Sequence, residues 1–220
     1  MTPRGLFISF EGIEGAGKST QVLHARQVLE QQGLTVCLVR EPGGTPVGDQ
    51  IRRLLLTQGD GPRSALSELL LFCASRAELV ETVIRPALTR GEMVLSDRFV
   101  DSTLAYQGYA RGLPLETIQS LNRIATGGLL PDLTLLLDLP VEEGLSRATR
   151  RAAVVDQGAE RDRFEAQALE FHQRVREGFL ACAHAEPHRF VRLDARQSPE
   201  QLSQQVKEHL QHGLSRHSRA

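Results

Sequence analysis

The run Gly12-Ile13-Glu14-Gly15-Ala16-Gly17-Lys18-Ser19 constrains this chain more than any other segment. It satisfies the spacing GxxxxGK[ST], and its setting matches. The apolar run Leu6 to Phe10 precedes it, and a helical pattern from Lys18 to about Gln32, closed by Gly33, follows it. Glycines at these places permit positive φ, so successive backbone N–H groups turn inward and face the oxygens of a phosphate. The N-terminus of the following helix adds partial positive charge. In such a cradle Lys18 reaches the β- and γ-phosphates of a nucleoside triphosphate, and the Ser19 hydroxyl suits Mg2+. Gly12 through Thr20 is therefore the candidate ATP-binding segment.

The rest of the chain supplies the sheet that such a loop needs. Short apolar runs at 6–10, 34–39, 93–96, 133–139 and 190–193 read as strands. Helical patterns lie between them at 47–57, 64–89, 99–107, 114–126, 141–151 and 162–184, with a last one at 199–212. Pro86 is expected to kink the end of the long one. The alternation predicts an α/β fold: a five-stranded parallel sheet with helices on both faces and right-handed crossovers, its ligands at the carboxyl ends of the strands. A length of 220 residues fits one domain, taken as 1–214. Residues 152–161 lose periodicity around Gly158 and read as a mobile loop within a small lid at about 147–163. The polar tail, 215–220, is expected to fray.

Composition narrows the class of partner. A formal net charge of −1 provides no basic field for long nucleic acid, so small anions would be held by local arginines. No apolar run approaches the roughly 18 residues of a membrane helix, and the N-terminal residues show no signal-peptide pattern. The three cysteines, Cys37, Cys73 and Cys182, are odd in number and far apart, which suits reduced thiols in a cytosolic protein. Two acidic strand ends are candidates for the magnesium carboxylate, Asp97 and Asp138. Asp97 is favoured because Arg98 follows it and would set a cation beside a transferring phosphate, whereas Asp138 leads into Leu139-Pro140.

Several further segments carry a resemblance: Phe10 to Thr20, Arg40-Glu41-Pro42-Gly43-Gly44-Thr45, Leu70 to Arg76, Ser96-Asp97-Arg98, Ser102 to Gly108, and Asp162-Arg163-Phe164-Glu165. Together they resemble the thymidylate (dTMP) kinase family over nearly the whole chain, which implies a P-loop kinase fold and transfer of phosphate from ATP to dTMP with Mg2+, in a homodimer. The resemblance implies that Phe72 stacks on the thymine ring and that Arg76, Thr103 and Gln107 read the base edge, with Ser102 beside them. It implies that Arg40 and Arg98 hold the acceptor phosphate, that Glu14 meets the sugar 3′-hydroxyl, and that Tyr106 crowds the 2′ position. Glu11 corresponds to the family's acidic residue at the end of the first strand, to which the resemblance assigns no defined role.

One subtype of that family carries an arginine inside the phosphate loop, where this chain has Gly15 and Ala16. The chain is similar to the second subtype, whose lid supplies the catalytic cation. The candidates are Arg147, Arg150, Arg151, Arg161 and Arg163, with Arg151 and Arg147 preferred; a closing cation stabilises the charge spread over the transferred phosphoryl group. Adenine contacts are expected from Asp194 to Ser198. Kinases acting on dUMP or CMP stay open as alternatives. The chain has no N-K-x-D segment of the kind a common GTPase switch needs.

Overall fold

The computed structural model describes residues 4–57, 63–155, 164 and 167–217. Five strands, β1 (Phe7–Glu11), β2 (Val36–Arg40), β3 (Met93–Asp97), β4 (Leu133–Asp138) and β5 (Phe190–Asp194), form one sheet in the order β2-β3-β1-β4-β5. Every neighbouring pair is parallel, so each connection crosses over through helix. The expected sheet is present. Four of its strands end one residue later than the apolar runs, and β4 ends one residue earlier, at Asp138. Arg40 is in register with Asp97, and Asp138 with Asp194, so the ladder continues into the charged residues that close four of the strands. Hydrophobicity stops one residue before the pairing does.

The pleat sends alternate residues to opposite faces. Phe7 and Val94 pack with Leu79, Ile84 and Leu88 on one side. Ile8, Phe10 and Leu95 join Val22, Ala25 and Leu29 of α1 (Lys18–Gln31) and Leu202, Val206 and Leu210 of α9 (Pro199–His217). The remaining helices are α2 (Pro46–Leu56), α3 (Ala65–Leu79), α4 (Arg85–Thr89), α5 (Val100–Thr103), α6 (Leu115–Thr126), α7 (Val141–Val155) and α8 (Leu169–Ala185). Thr45 caps α2, accepting from the Gly48 N–H at 2.9 Å with Pro46 in the first turn, and Ser64 caps α3 through the Ser67 N–H at 3.1 Å.

Four helical expectations change. The long helix at 64–89 is interrupted by π-helix at Val80–Ile84, directly before Pro86. The wider turn accommodates a proline ring that an α-helix interior would clash with. The segment expected as plain helix at 99–107 is α5 followed by π-helix over Leu104–Ala110. The helix expected from 162 begins at Leu169, and Gln167 and Ala168 precede it as irregular chain. The last helix, expected over 199–212, is α9 and runs to His217, and residues 218–220 of the expected tail lie outside the described residues. Residues 156–163, the second half of the expected lid, lie outside the described residues. Among the described residues no helix is long and apolar enough to cross a membrane, and all three cysteines are free thiols.

Candidate active site

The carboxyl ends of β1, β2 and β3 meet at a cavity of about 280 Å³. Its wall includes Glu14, Lys18 and Ser19 from the loop and helix after β1, Arg40 at the end of β2, and Asp97 and Arg98 at the end of β3. Phe72 and Arg76 reach it from α3, and Ser102, Thr103, Tyr106 and Gln107 from α5 and the π-helix that follows. The widened helix presents two of these, Tyr106 and Gln107, to the cavity, in keeping with the tendency of π-turns to sit at functional sites. The motifs, spread over most of the sequence, are thus brought to one place.

The phosphate loop requires its glycines sterically. Gly12 has φ 138°, and a Cβ there would stand 2.4 Å from the Leu137 carbonyl oxygen. Gly15 has φ 74°, and a Cβ there would stand 2.1 Å from the Gly144 carbonyl oxygen of α7. Lys18 is turned onto the loop itself, its Nζ donating to the carbonyls of Gly12 at 2.9 Å and Ile13 at 2.8 Å. Burial, and next the Arg98 guanidinium, push its ammonium down to about 8, against the opposing pull of Asp97, Glu14 and Glu11.

Ser19 Oγ donates to Asp97 Oδ2 at 2.7 Å. A hydroxyl and a carboxylate side by side at a strand end are two hard oxygen donors of the kind Mg2+ prefers. Asp138 is otherwise engaged. Its carboxylate accepts from Arg176 at 2.7 and 3.1 Å and from Arg192 at 2.6 and 3.1 Å.

Arg98 is the one non-glycine residue with positive φ among the described residues, at 72°. Such a conformation costs on the order of 1–3 kcal/mol and persists only where the surroundings impose it. Here its N–H donates to the Phe10 carbonyl at 3.0 Å, and its carbonyl accepts from Ser96 Oγ at 2.6 Å. Glu11 fixes the next turn, accepting from the Phe99 N–H at 2.7 Å and from Ser102 Oγ at 2.6 Å. Glu11, left without a role by sequence reasoning, is a fully buried anchor of the Arg98 turn; burial, and then Asp101, push its carboxyl up to about 8. The Arg98 guanidinium then spans the cavity wall. It donates to the Gly12 carbonyl and Ser102 Oγ, each at 3.1 Å, and to Glu14 Oε1 at 3.2 Å and Tyr106 Oη at 3.1 Å. Tyr106 Oη in turn donates to Glu14 Oε1. Burial opposes ionisation of Glu14, but His172, Arg98, Lys18 and Tyr106 outweigh it and hold its carboxyl well below the usual range.

Arg76 is 1% exposed and forms a hub. Its Nε donates to both Glu41 oxygens at 3.0 and 2.9 Å. Nη2 donates to Glu41 Oε2 at 2.6 Å and Thr103 Oγ1 at 2.8 Å, and Nη1 to Asn122 Oδ1 at 2.6 Å. Of the five guanidinium N–H groups, this leaves one on Nη1 for a ligand. Gln107 donates its amide to Glu68 at 2.9 Å, which orients it. Phe72 faces Phe164 across the cavity with ring centroids 6.0 Å apart.

Of the two preferred lid arginines, Arg147 does not line this cavity. Arg147 donates to the Ala195 carbonyl at 2.9 Å, beside the turn after β5, and the Arg151 side chain lies outside what the structure describes. Arg161 and Arg163 lie outside the described residues. Sequence reasoning missed Glu41, Asn122 and His172. A buried arginine demands a carboxylate, but Glu41 is 35 residues from Arg76 and no local pattern links them. His172 carries no motif at all.

Residues 10–206 match the family model described as thymidylate kinase. The thymidylate kinase of Desulfovibrio desulfuricans is 50% identical over 214 residues, covering 97% of this chain and 99% of its own. That of Geobacter sp. strain M21 is 51% identical over 206 residues, covering 94% and 91%. The crystal structure of thymidylate kinase from Ehrlichia chaffeensis superposes with a TM-score of 0.75 at 34% identity, covering 95% of this chain and all of that one. With its phosphate loop, parallel sheet and acceptor cavity, and with likeness running over nearly its full length, this chain belongs to the thymidylate kinase family.

Proposed function

We propose that the chain transfers the γ-phosphoryl group of ATP to dTMP, giving ADP and dTDP. The observation that carries this reading is that the phosphate loop, the Ser19–Asp97 pair and an acceptor wall of one aromatic ring and several arginines line the same cavity. Backbone amides of Gly12 to Thr20 and the Lys18 ammonium hold the donor phosphates, and Ser19 and Asp97 would hold Mg2+, which neutralises charge on the phosphate oxygens. Phe72 stacks on thymine, the remaining Arg76 N–H and the oriented Gln107 amide read its edge, and Thr103 and Ser102 complete that wall. Arg40 and Arg98 hold the acceptor phosphate, Glu14 meets the sugar 3′-hydroxyl, and Tyr106 fills the space a 2′-hydroxyl would take.

No catalytic base is required. A phosphate monoester has its second pKa at about 6, so the attacking oxygen is already ionised at neutral pH. In-line positioning and charge neutralisation then carry the rate. Arg151 is the preferred lid cation, because the Arg147 guanidinium is committed to Ala195 and lies 3.7 Å from Glu143. The turn from Asp194 to Ser198 backs the adenine. A coupled assay with ATP and Mg2+ tests the reading across dTMP, dUMP and CMP. We expect kcat/KM for dTMP to exceed that for CMP by roughly 10²-fold or more, since a base-edge hydrogen-bonding site rejects a mismatched ligand strongly. Equal turnover of dTMP and CMP would refute the base-reading assignments.

The active form is a homodimer located in the cytoplasm. Leu54 of α2, Leu66 and Leu70 of α3 and Ile124 of α6 are large apolar side chains exposed on three helices that pack in sequence, and a second copy of the chain would cover them. The free thiols suit a reducing compartment. Light scattering after size exclusion is expected to give twice the mass of one chain, and Leu66→Asp with Leu70→Asp to give the mass of one.

A further inference from the structure

His172 is 0% exposed, and its Nδ1 lies 3.3 Å from Glu14 Oε2. Among the described residues, that oxygen and both ring nitrogens of His172 are buried with no hydrogen-bond partner. The pair is within hydrogen-bonding reach but not aligned for it. Leaving buried polar atoms unpaired costs about 1–3 kcal/mol each, so such a pair calls for something that completes it. Site hydrogen bonds that are loose without ligand commonly tighten when the ligand arrives.

The surroundings say which way the pair acts. Glu14 Oε1 is taken by Tyr106 and Arg98, and Glu14 lines the cavity. His172 is not part of the cavity wall; it stands behind the carboxylate on α8. That helix is seated on the same π-helix that carries Tyr106, with Phe171 and Phe179 edge-on to the Tyr106 ring at 6.2 and 6.1 Å. An ionised carboxylate only accepts, so a hydrogen bond between the two uses an N–H at Nδ1. Glu14 is thus held at one oxygen by the cavity wall, and its other oxygen faces a buried ring nitrogen 3.3 Å away.

We propose that His172 is a positioning residue for the sugar of the acceptor nucleotide: its Nδ1–H holds the inner oxygen of Glu14 and aims the carboxylate at the sugar 3′-hydroxyl. The inference rests on the reading that Glu14 meets that hydroxyl. It explains why a histidine with no motif of its own is fully buried against the loop of the phosphate site.

The test compares dTMP with 3′-deoxythymidine monophosphate as acceptors, for the parent protein and for His172→Phe, His172→Asn and Glu14→Gln. His172→Phe keeps the ring and removes the donor. It should raise KM for dTMP roughly tenfold, move kcat less than about threefold, and change KM for the 3′-deoxy acceptor by less than about twofold. His172→Asn returns an N–H near Nδ1 and should bring KM for dTMP back to within about threefold of the parent. Where phenylalanine prevents folding, His172→Leu gives the same comparison. A purely structural role would shift both acceptors equally, and that result, or no shift with dTMP, overturns the proposal. Glu14→Gln separates the two levels. If it too fails to distinguish the acceptors, the reading of Glu14 falls and takes the proposal with it. If it distinguishes them and His172→Phe does not, only the proposal for His172 falls.

Discussion

Lys18→Ala is expected to lower the ATP-dependent turnover of dTMP by about 10³-fold, the scale seen when one preorganised charge donor is removed from a transition state. Lys18 is 8% exposed, and in the structure it folds onto the Gly12 and Ile13 carbonyls at the mouth of the loop. Its ammonium is pushed down to about 8 by burial and by Arg98, so the protein without nucleotide holds this charge at a cost. A triphosphate supplies an anion, and the charge then acts where negative charge shifts during transfer. The same depressed value argues that stability does not depend on the lysine. The variant should melt within a few degrees of the parent, which separates loss of chemistry from loss of fold. Steady-state rates and a thermal melt on one preparation measure both. A variant that kept a tenth of the parent turnover would remove Lys18 from the phosphate site.

Arg76→Ala should act first on the fold. The side chains of Arg76 and Glu41 are 1% and 4% exposed, and removing one partner leaves the other as a buried, unpaired charge. Breaking such a pair costs roughly 3–5 kcal/mol. For a chain of this length that lowers Tm by on the order of 10 °C. Loss of dTMP binding accompanies it, because Thr103 and Asn122 lose the donor that orients them. Pairing Arg76→Met with Glu41→Leu removes both charges and should recover a good part of the lost stability, while dTMP use stays impaired. If Arg76→Ala melted like the parent, the guanidinium would not be the hub that its contacts describe.

The sequence resemblance assigns Arg76 to the base edge alone, and the difference is instructive. A helical position four residues after Phe72 is enough to bring both side chains to one wall. It does not reveal that most of the guanidinium is taken up by Glu41, Thr103 and Asn122. Arg98 shows the converse. Its position after Asp97 at a strand end was plain, but its left-handed backbone and its dependence on Glu11 and Ser96 come from contacts between β1, β3 and α5. The same holds for π-helix over Leu104–Ala110, which residue periodicity reads as an ordinary helix.

From its residues alone the chain was committed to a phosphate loop, to parallel strands alternating with helices, and to the segments that meet at the strand ends. These depend on neighbours only a few positions apart, where spacing and hydrophobic period express the physics directly. The tertiary structure decided the pairings. Ser19 stands beside Asp97 while Asp138 is claimed by Arg176 and Arg192, Arg76 is sunk onto Glu41, and His172 lies behind Glu14. Each joins residues far apart in the chain. Whether they meet depends on the strand order β2-β3-β1-β4-β5 and on how α3 and α8 dock, and no local pattern encodes which buried charge will face which.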